Sequence, residues 1–502
     1  MSGPSRLPQN CILPLCGLAL SILFFGVQPV AAAESSLGSP RAVDNGPASI
    51  QIAGNTLTDG TGRPVVLHGV DVSGTEFACA QGGVRGNEGW SIFGGQPIDS
   101  TTTIQAIRSW HVNAVRVPLN EDCWLGINGI SPRFGGASYV AAIRRFVGDL
   151  RSQGMFVILD LHWNAPGDAV ALSQQPMADA DHSLAFWSDV ASRFRSDPGV
   201  VFDLYNEPFL YASYMQNSSQ NAWSCWLNGC MLNQYLTGGH PYTRPLTWRV
   251  AGMQQMIDAV RATGAKNLVI SNGLDWANDD SGWLTHRPMD PAKNLAAGWH
   301  EYGGETCSNL KCWSGTIAPL AQKVPVIVGE TGDHAGTGCT LTNMPMLLPW
   351  ADSMGISYLA WTFNPWHDSH DVLITDWSGT PTQCEGQYYS QHLATIASNP
   401  PSIQQQAPPR PVVVAGIRPD VGLATRIIVI MLAIAVCAWG VFITASVLLN
   451  RRRVMQPNVG EMLNSIDSRS TDLRLVRALT GSVGAIAILV VLILLYAPHL
   501  VG

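Results

Sequence analysis

Eight short apolar runs, separated by stretches with helical periodicity, restrict the fold of this 502-residue chain more than any other feature. The runs are continuous rather than alternating, which is typical of parallel strands buried on both faces. They are Val65–Val70, Asn113–Val117, Phe156–Leu161, Val200–Tyr205, Asn267–Ser271, Leu295–Trp299, Val326–Val328 and Ser357–Trp361. The helical patterns cover Ile104–Trp110, Tyr139–Gln153, Ser183–Arg195, Pro245–Thr263, Cys312–Gln322 and Met344–Met354.

This alternation predicts a parallel sheet covered by helices. Eight such units in residues 49–397 fit an α/β fold of the (β/α)8 TIM-barrel type. An open doubly wound sheet is the alternative, but it favours a Gly-rich phosphate loop after the first strand, and His68-Gly69-Val70-Asp71 is not such a loop. Residues 49–71 also predict a small hairpin that leads into the first strand.

Three further apolar segments lie outside the predicted barrel. Residues 1–33 combine Arg6, an apolar run and Ala31-Ala32-Ala33, which predicts a signal peptide cut after Ala33, with an uncleaved anchor as the alternative. Residues 427–449 and 478–496 are each long enough to span a bilayer, and they predict a C-terminal two-helix transmembrane hairpin, with a buried soluble hairpin as the alternative. The loop between them holds six arginines and is predicted to be cytoplasmic: Arg451, Arg452, Arg453, Arg469, Arg474 and Arg477.

These segments together predict an exported protein, anchored in the cell membrane through residues 427–496 with the barrel outside. Residues 398–426 are rich in proline and predict a semi-rigid linker between barrel and membrane. The net charge of −7 argues against nucleic acid as a partner, because phosphate binding needs a basic surface. The residues do not indicate any particular protein partner.

The cysteines fit an oxidising compartment. Outside the apolar segments there are eight, an even number, which predicts four disulfides. Eight cysteines allow 105 pairings, so the sequence leaves the connectivity open. Pairing of sequence neighbours gives 79–123, 225–230, 307–312 and 339–384, and a zinc site is the rival interpretation of the close pairs.

Polar side chains follow six of the eight predicted strands at the point where each apolar run ends. A barrel builds its functional site at the carboxyl ends of its strands, so these side chains are predicted to converge on one mouth. The segments are Val115-Arg116-Val117-Pro118, Leu159-Asp160-Leu161-His162, Tyr205-Asn206-Glu207-Pro208, Trp299-His300-Glu301-Tyr302, Val328-Gly329-Glu330-Thr331 and Ala360-Trp361-Thr362-Phe363.

Two of these side chains suit glycosidic bond hydrolysis. That reaction needs a proton donor for the leaving oxygen and a carboxylate for the anomeric carbon or for water. Glu207 and Glu330 end the fourth and seventh strands, which lie on opposing arcs of the ring, so they can face each other across a sugar. Arg116 and Tyr302 are predicted to keep Glu330 ionised, whereas Glu207, with no basic residue in its own motif, is predicted to stay protonated.

The ordered set N-A-V-R-V-P, L-D-L-H, L-Y-N-E-P, H-E-Y, V-G-E-T-G and A-W-T-F resembles the cellulase family, glycoside hydrolase family 5, over about residues 50–395. The resemblance implies a retaining mechanism without a metal or organic cofactor. It implies Glu207 as acid/base, Glu330 as nucleophile and Asn206 as the ligand of the substrate 2-hydroxyl. The remaining implied sugar-site residues are Arg116, His162, His300, Tyr302 and Trp361.

The expected substrate is an oligo- or polysaccharide, and the first hypothesis is an endo-β-1,4-glucanase. Mannan, β-1,3-glucan and glycolipid headgroups are alternatives within the same fold, and a non-catalytic barrel that binds envelope carbohydrate is an alternative of another class. Nine further residues follow strand ends, and for them ordinary loop surface is favoured over outer sugar subsites: Glu121, Asp122, Asp275, Trp276, Asp279, Asp280, Trp366, His367 and Asp368.

Overall fold

The computed structural model describes residues 49–81, 91–216, 221–237, 244–333, 340–366 and 372–399. Eight parallel strands close into a barrel in which each strand pairs with its neighbour along the chain and the eighth pairs with the first. They are β1 (His68–Asp71), β2 (Ala114–Asn120), β3 (Phe156–Trp163), β4 (Val200–Asp203), β5 (Val269–Asn272), β6 (Leu295–Tyr302), β7 (Val326–Gly332) and β8 (Ser357–Ala360). The predicted barrel is therefore confirmed, and the open sheet is excluded.

Helices cover the outside of this barrel. The long ones are α1 (Thr101–Ser109), α2 (Ala137–Ser152), α3 (Ser183–Phe194), α4 (Met253–Ala262), α5 (Met344–Met354) and α6 (Glu385–Ser398). Leu310–Cys312, Trp313–Ile317 and Ala318–Ala321 form one continuous helical stretch between β6 and β7. The shorter helices are Ala78–Gln81, Glu121–Leu125, Ala212–Tyr214, Ala222–Asn228 and Leu274–Ala277.

One predicted helix is wrong over its first half. Leu246–Arg249 is a strand that pairs antiparallel with Met231–Gln234, and α4 begins only at Met253. The backbone at Gly252 is extended, and Gln255 accepts a hydrogen bond from its amide, as in a capping box. Apolar spacing alone does not reveal where this helix begins, because the residues before Gly252 also have apolar side chains at helical spacing.

The predicted hairpin closes the amino-terminal end of the barrel. Its strands Ile50–Ala53 and Thr56–Asp59 pair antiparallel. Ile50 donates its amide to the carbonyl of Pro198, just before β4, which fixes the hairpin against the strand starts. The apolar cluster beneath it joins the hairpin to inward side chains of the strands: Ile50, Leu57, Ala114, Ile158, Val201, Ile270, Ile327 and Leu359. The interior is apolar at this end, so the polar chemistry is restricted to the opposite mouth.

Three disulfides lie at the carboxyl-end side of the strands. They join Cys79 to Cys123, Cys225 to Cys230 and Cys307 to Cys312, as the pairing of sequence neighbours predicts, and they exclude zinc at those pairs. Cys384 is also disulfide-bonded, and Cys339 lies outside the described residues.

The predicted signal peptide, membrane spans and most of the linker fall on residues 1–33 and 400–496, outside the described residues. Within the described part of the chain, no helix is both long and apolar enough to cross a bilayer. The hairpin at 427–449 and 478–496 therefore stays a prediction.

Candidate active site

A single buried arginine organises the polar half of the barrel interior. The guanidinium of Arg116, on β2, has no solvent exposure. It donates to Glu330 Oε1 at 2.6 Å and Asp71 Oδ1 at 3.1 Å, and to Asp160 Oδ2 at 2.7 Å and Asp203 Oδ2 at 3.1 Å. Four strands thus direct a carboxyl group at one cation. Because the side chains of a strand alternate, these positions face inward in the same layer.

One positive charge does not balance four ionised carboxylates in a dry interior, so protons must remain on some of them. Burial raises the pKa of Asp71 well above its usual value, and the nearby charge of Glu330 adds to that rise. Burial also raises the pKa of Asp203 to about 6, against the attraction of Arg116. The layer therefore holds a mixture of carboxylates and carboxylic acids at neutral pH.

Glu330 owes its position to an irregularity in the pairing of β6 with β7. Trp299 pairs with Val328 but His300 pairs with Glu330, so Gly329 is an extra residue on β7. A Cβ on Gly329 would lie 2.8 Å from His300 Nε2, which explains why glycine is needed there. The extra residue turns the Glu330 side chain into the barrel.

Glu330 is held as a carboxylate, as predicted from the sequence. Tyr302 donates its hydroxyl to Glu330 Oε2 at 2.9 Å, and Arg116 holds the other oxygen. Burial by itself would raise the pKa of Glu330, but the charges of His300, Arg116 and His162, together with the Tyr302 hydrogen bond, outweigh burial and lower the pKa to about 2.

Glu207 follows β4 and is more accessible: its side chain is 19% exposed, against 6% for Glu330. His300 Nδ1 lies 3.0 Å from Glu207 Oε1 and 3.8 Å from Glu330 Oε2. The motif of Glu207 itself holds no basic residue, as the sequence shows, but β6 brings His300 against Glu207. His300 therefore stands between the two glutamates and contacts both.

The other predicted residues line the same mouth. Asn206 accepts from Arg116 Nη2 at 2.7 Å and donates to Gln174 Oε1 at 2.6 Å. His162 lies 2.8 Å from Asp160 Oδ2 and stacks on Trp361 with 12° between the rings. Burial acts to lower the pKa of His162, but the Asp160 carboxylate outweighs it and raises the pKa to about 9.

The structure thus brings all eight predicted residues together, and it gives roles to four more residues that were not among the predicted site residues, although Asp160 lies in a segment predicted to reach the mouth. Asp71, Asp160 and Asp203 complete the layer around Arg116, and Gln174 binds both Asn206 and the carbonyl oxygen of Glu207. The two-residue alternation that puts Asp160 on the same face as Ile158 was a usable signal for the aspartates. Nothing in the sequence marks Gln174, which lies in the loop after β3.

Several residues expected on ordinary loop surface are buried instead. Glu121 and Asp122 have no exposed area, and Asp280 is 3% exposed. Trp276 is exposed and stacks flat on Phe209, with ring centres 3.9 Å apart. His367 and Asp368 lie outside the described residues.

The nearest carboxylate oxygens of Glu207 and Glu330 lie within 4.8 Å of each other, and His300 completes a triad with them. Three such donors have the spacing to hold a metal ion. However, Glu330 already binds a guanidinium through one oxygen and a phenol through the other, so a cation there would face the charge of Arg116 at close range. The arrangement suits a sugar better: an ionised carboxylate opposite a second, more accessible carboxyl group.

Comparison with known proteins agrees with this geometry. The model of the family described as cellulase (glycosyl hydrolase family 5) matches residues 70–366. Endoglucanase CelA of Streptomyces lividans is 22% identical over 70% of this chain and 62% of its own length. Endoglucanase E-5 of Thermobifida fusca is 22% identical over 66% of each. The chain therefore spans somewhat less than two thirds of these curated relatives.

Among solved structures, the β-glucanase SdGluc5_26A of Saccharophagus degradans, crystallised with cellotetraose, is similar with a TM-score of 0.50 and 20% identity. The match covers 72% of this chain and 99% of that one, and it supports the barrel fold. A closed parallel barrel with two glutamates across its mouth has the carboxyl pair that a glycoside hydrolase needs, and the matched family is of that class. This chain belongs to glycosyl hydrolase family 5, the cellulase family.

Proposed function

We propose that this enzyme is a retaining endo-β-1,4-glucanase that works by double displacement. The observation that carries the proposal is the separation of at most 4.8 Å between carboxylate oxygens of Glu207 and Glu330. Retaining glycosidases hold their two carboxyl groups about 5–5.5 Å apart, whereas inverting enzymes leave about 6.5–9.5 Å for a water molecule.

In the first step Glu330 acts as the nucleophile. Its carboxylate attacks the anomeric carbon, and Glu207 gives its proton to the leaving glycosidic oxygen. Arg116 and Tyr302 hold both oxygens of Glu330, which fixes the direction of attack and keeps the group ionised. The product of this step is a covalent glycosyl ester on Glu330.

In the second step Glu207, now a carboxylate, takes a proton from water, and that water displaces Glu330 from the anomeric carbon. The β configuration is restored after two inversions. In this mechanism Asn206, beside Glu207, binds the 2-hydroxyl of the reacting sugar, and Trp361, with its stacked partner His162, offers an apolar face to the ring.

The leaving side of the cleft has a second aromatic platform. Phe209 lies two residues beyond Glu207, and Trp276 stacks on it while donating its indole N–H to Tyr211 at 3.0 Å. Because Glu207 protonates the leaving group, sugars on that side pass over Trp276. An open platform on the leaving side suits a chain cut in its interior, and the endoglucanase names of the relatives point the same way.

The test is a comparison of the full-length protein with its Glu330→Gln variant on β-1,4-glucan, mannan, β-1,3-glucan and glycolipid. We expect glucan to be cleaved fastest, with β-anomers released first in NMR spectra. The variant is expected to lose at least about 10³-fold in kcat. Release of α-anomers first would contradict retention, and a preference for another polymer would replace the substrate assignment.

A further inference from the structure

A second group of acidic side chains lies away from the two catalytic glutamates. Glu121 begins the short helix after β2, and Asp179 and His182 lie just before α3. His182 Nδ1 is 3.8 Å from Glu121 Oε1 and 3.7 Å from Asp179 Oδ1. One donor atom from each residue falls within 4.8 Å of the other two. The loops after β2 and β3 thus converge on one small volume.

This volume is short of positive charge. The side chains of Glu121 and Asp179 are fully buried, and in the described part of the chain the imidazole of His182 is the only basic group within 4 Å of either. Burial raises the pKa of both carboxyl groups. A buried carboxylate without a counter-charge is costly, so a cation or protons must compensate.

Two atoms aimed into the volume lack hydrogen-bond partners. Glu121 Oε2 accepts from Ser183 Oγ at 2.5 Å and Glu121 is also hydrogen-bonded to Asp179, whereas the buried Glu121 Oε1 accepts from no N–H or O–H group of the described residues. His182 Nδ1 is also buried and unpartnered. These two atoms face each other. A carboxylate oxygen and an imidazole nitrogen, 3.8 Å apart and without a hydrogen bond between them, are ligand types that a transition-metal ion takes together.

We propose that Glu121, Asp179 and His182 bind a divalent transition-metal ion, with Zn²⁺ as the best match. Zinc takes carboxylate oxygen and imidazole nitrogen at about 2.0–2.2 Å, and donors at that radius are separated by about 3–4 Å, as the contacts of His182 are. The mixed donor set disfavours Ca²⁺, which prefers oxygen alone.

Such an ion would fasten a loop that supports the active site. Asp179 accepts from Asn164 Nδ2 at 2.9 Å, and Asn164 in turn accepts from the Tyr205 hydroxyl at 2.8 Å. Gln174, which contacts Asn206 and Glu207, belongs to the same loop. The proposed role is structural, and it does not depend on the hydrolytic activity.

The test measures metal binding by the full-length protein after treatment with EDTA and removal of the chelator. We expect one tightly bound Zn²⁺ per chain by calorimetry, and a rise in Tm of about 3–4 °C at a Zn²⁺ concentration a hundredfold above Kd. Ca²⁺ should give no shift. Glu121→Gln should weaken Zn²⁺ binding at least about tenfold. His182→Gln, at a partly exposed position, gives the same answer if the Glu121 variant does not fold.

Two control variants separate this site from others. Glu330→Gln removes a carboxylate from the catalytic triad, and Asp258→Asn removes an exposed one from α4. Both should keep the tight Zn²⁺ site. The proposal is overturned if Zn²⁺ does not bind, if Glu330→Gln abolishes binding, or if both cluster variants bind as tightly as the wild type. Absent binding would mean that Glu121 and Asp179 share a proton instead.

Discussion

Tyr302 and Arg116 bind different oxygens of Glu330, and the two contacts have separable effects. Arg116 also donates hydrogen bonds to three aspartates, so its removal disturbs the whole inner layer. Tyr302 donates a hydrogen bond to the charged Glu330, and a bond of this kind is worth about 1.5–3 kcal/mol. The tyrosine is therefore the residue at which the ionisation of the nucleophile can be tested cleanly.

We predict that Tyr302→Phe raises the pKa of Glu330 from its low value of about 2. Because attack needs the carboxylate, the acid limb of the kcat/KM profile should move to higher pH, and kcat should fall about tenfold or more. The profile is measured on an aryl glycoside. Tyr358→Phe removes another buried hydroxyl, bound to Asp352, and should leave the acid limb in place. An unmoved limb in the Tyr302 variant would contradict the proposed role.

The lowered pKa of Glu330 also makes the stability of the fold depend on pH, in a direction that can be stated. A carboxyl group whose pKa is lowered on folding stabilises the protein above its unfolded pKa and loses that contribution as pH falls towards the folded value. Glu330 therefore stabilises the fold above about pH 4.5, and this contribution disappears towards pH 2. The Tyr302→Phe variant, with a smaller shift, should show a shallower loss of Tm on acidification.

Trp276 tests the leaving side of the cleft. Trp276→Ala removes the ring that stacks on Phe209. We expect kcat/KM on glucan to fall about tenfold, because the lost stacking of a sugar on this ring is worth about 1.4 kcal/mol. An aryl glycoside with a small leaving group does not reach this ring, so its hydrolysis should change less than twofold. Equal losses on both substrates would show that Trp276 acts through the fold rather than through the substrate.

At the level of the element, the strands were the best predicted feature. All eight apolar runs became barrel strands because a strand buried on both faces is continuous in apolar residues, and their alternation with helical patterns predicts a parallel sheet. The strand Leu246–Arg249 was misassigned because its partner Met231–Gln234 is set by tertiary pairing. The role of the aspartates around Arg116 was not predicted for a related reason: it depends on side chains from other strands that only the fold brings together.

In the described residues 273–294, the connection from β5 to β6 contains one helix, the short Leu274–Ala277. An ion pair between Arg261 and Asp290 attaches this connection to α4. Arg261 contacts both oxygens of Asp290, at 2.7 and 2.9 Å, and both side chains are nearly buried. The hydrogen bonds from Arg261 lower the pKa of Asp290 despite its burial. The pair replaces the packing that a longer helix would provide.

Asp290→Asn should therefore lower the free energy of unfolding by about 3 kcal/mol, because it leaves a buried guanidinium without its counter-charge. Urea denaturation at neutral pH measures this. The difference from the wild type should shrink as pH falls through the lowered pKa of Asp290. Asp258→Asn, on the exposed face of the neighbouring helix, is the control and should cost less than about 0.5 kcal/mol. A wild-type Tm in the Asp290 variant would contradict the bracing role.

At the scale of the whole molecule, the disulfides tie the loops of the mouth. Cys79 and Cys123 are separated by 44 residues, and Cys307 and Cys312 by five. The chain-entropy estimate gives about 4 kcal/mol for the first bond and about 2 kcal/mol for the second. Double Cys→Ser variants, unfolded in urea without reductant, should show that order. The reverse order would mean that the unfolded chain retains structure in the larger loop.

The predicted membrane hairpin is also testable on the whole chain. A protein ending at residue 399 lacks both predicted spans, and we expect it to leave the membrane fraction and to keep its activity on soluble glucan. The full-length protein should stay with the membranes after a high-salt wash, which removes proteins held by charge alone. Recovery of both proteins in the soluble fraction would contradict the hairpin.

The layer around Arg116 limits how such an enzyme can be redesigned. Four acidic side chains accept hydrogen bonds from one guanidinium. Replacing any of them therefore redistributes protons among the others and changes the pKa of the nucleophile Glu330. A substitution at Trp276, on the rim, does not touch this shared hydrogen-bond network. Engineers who want a new sugar preference should therefore vary the rim around Trp276 and leave the ring of acids untouched.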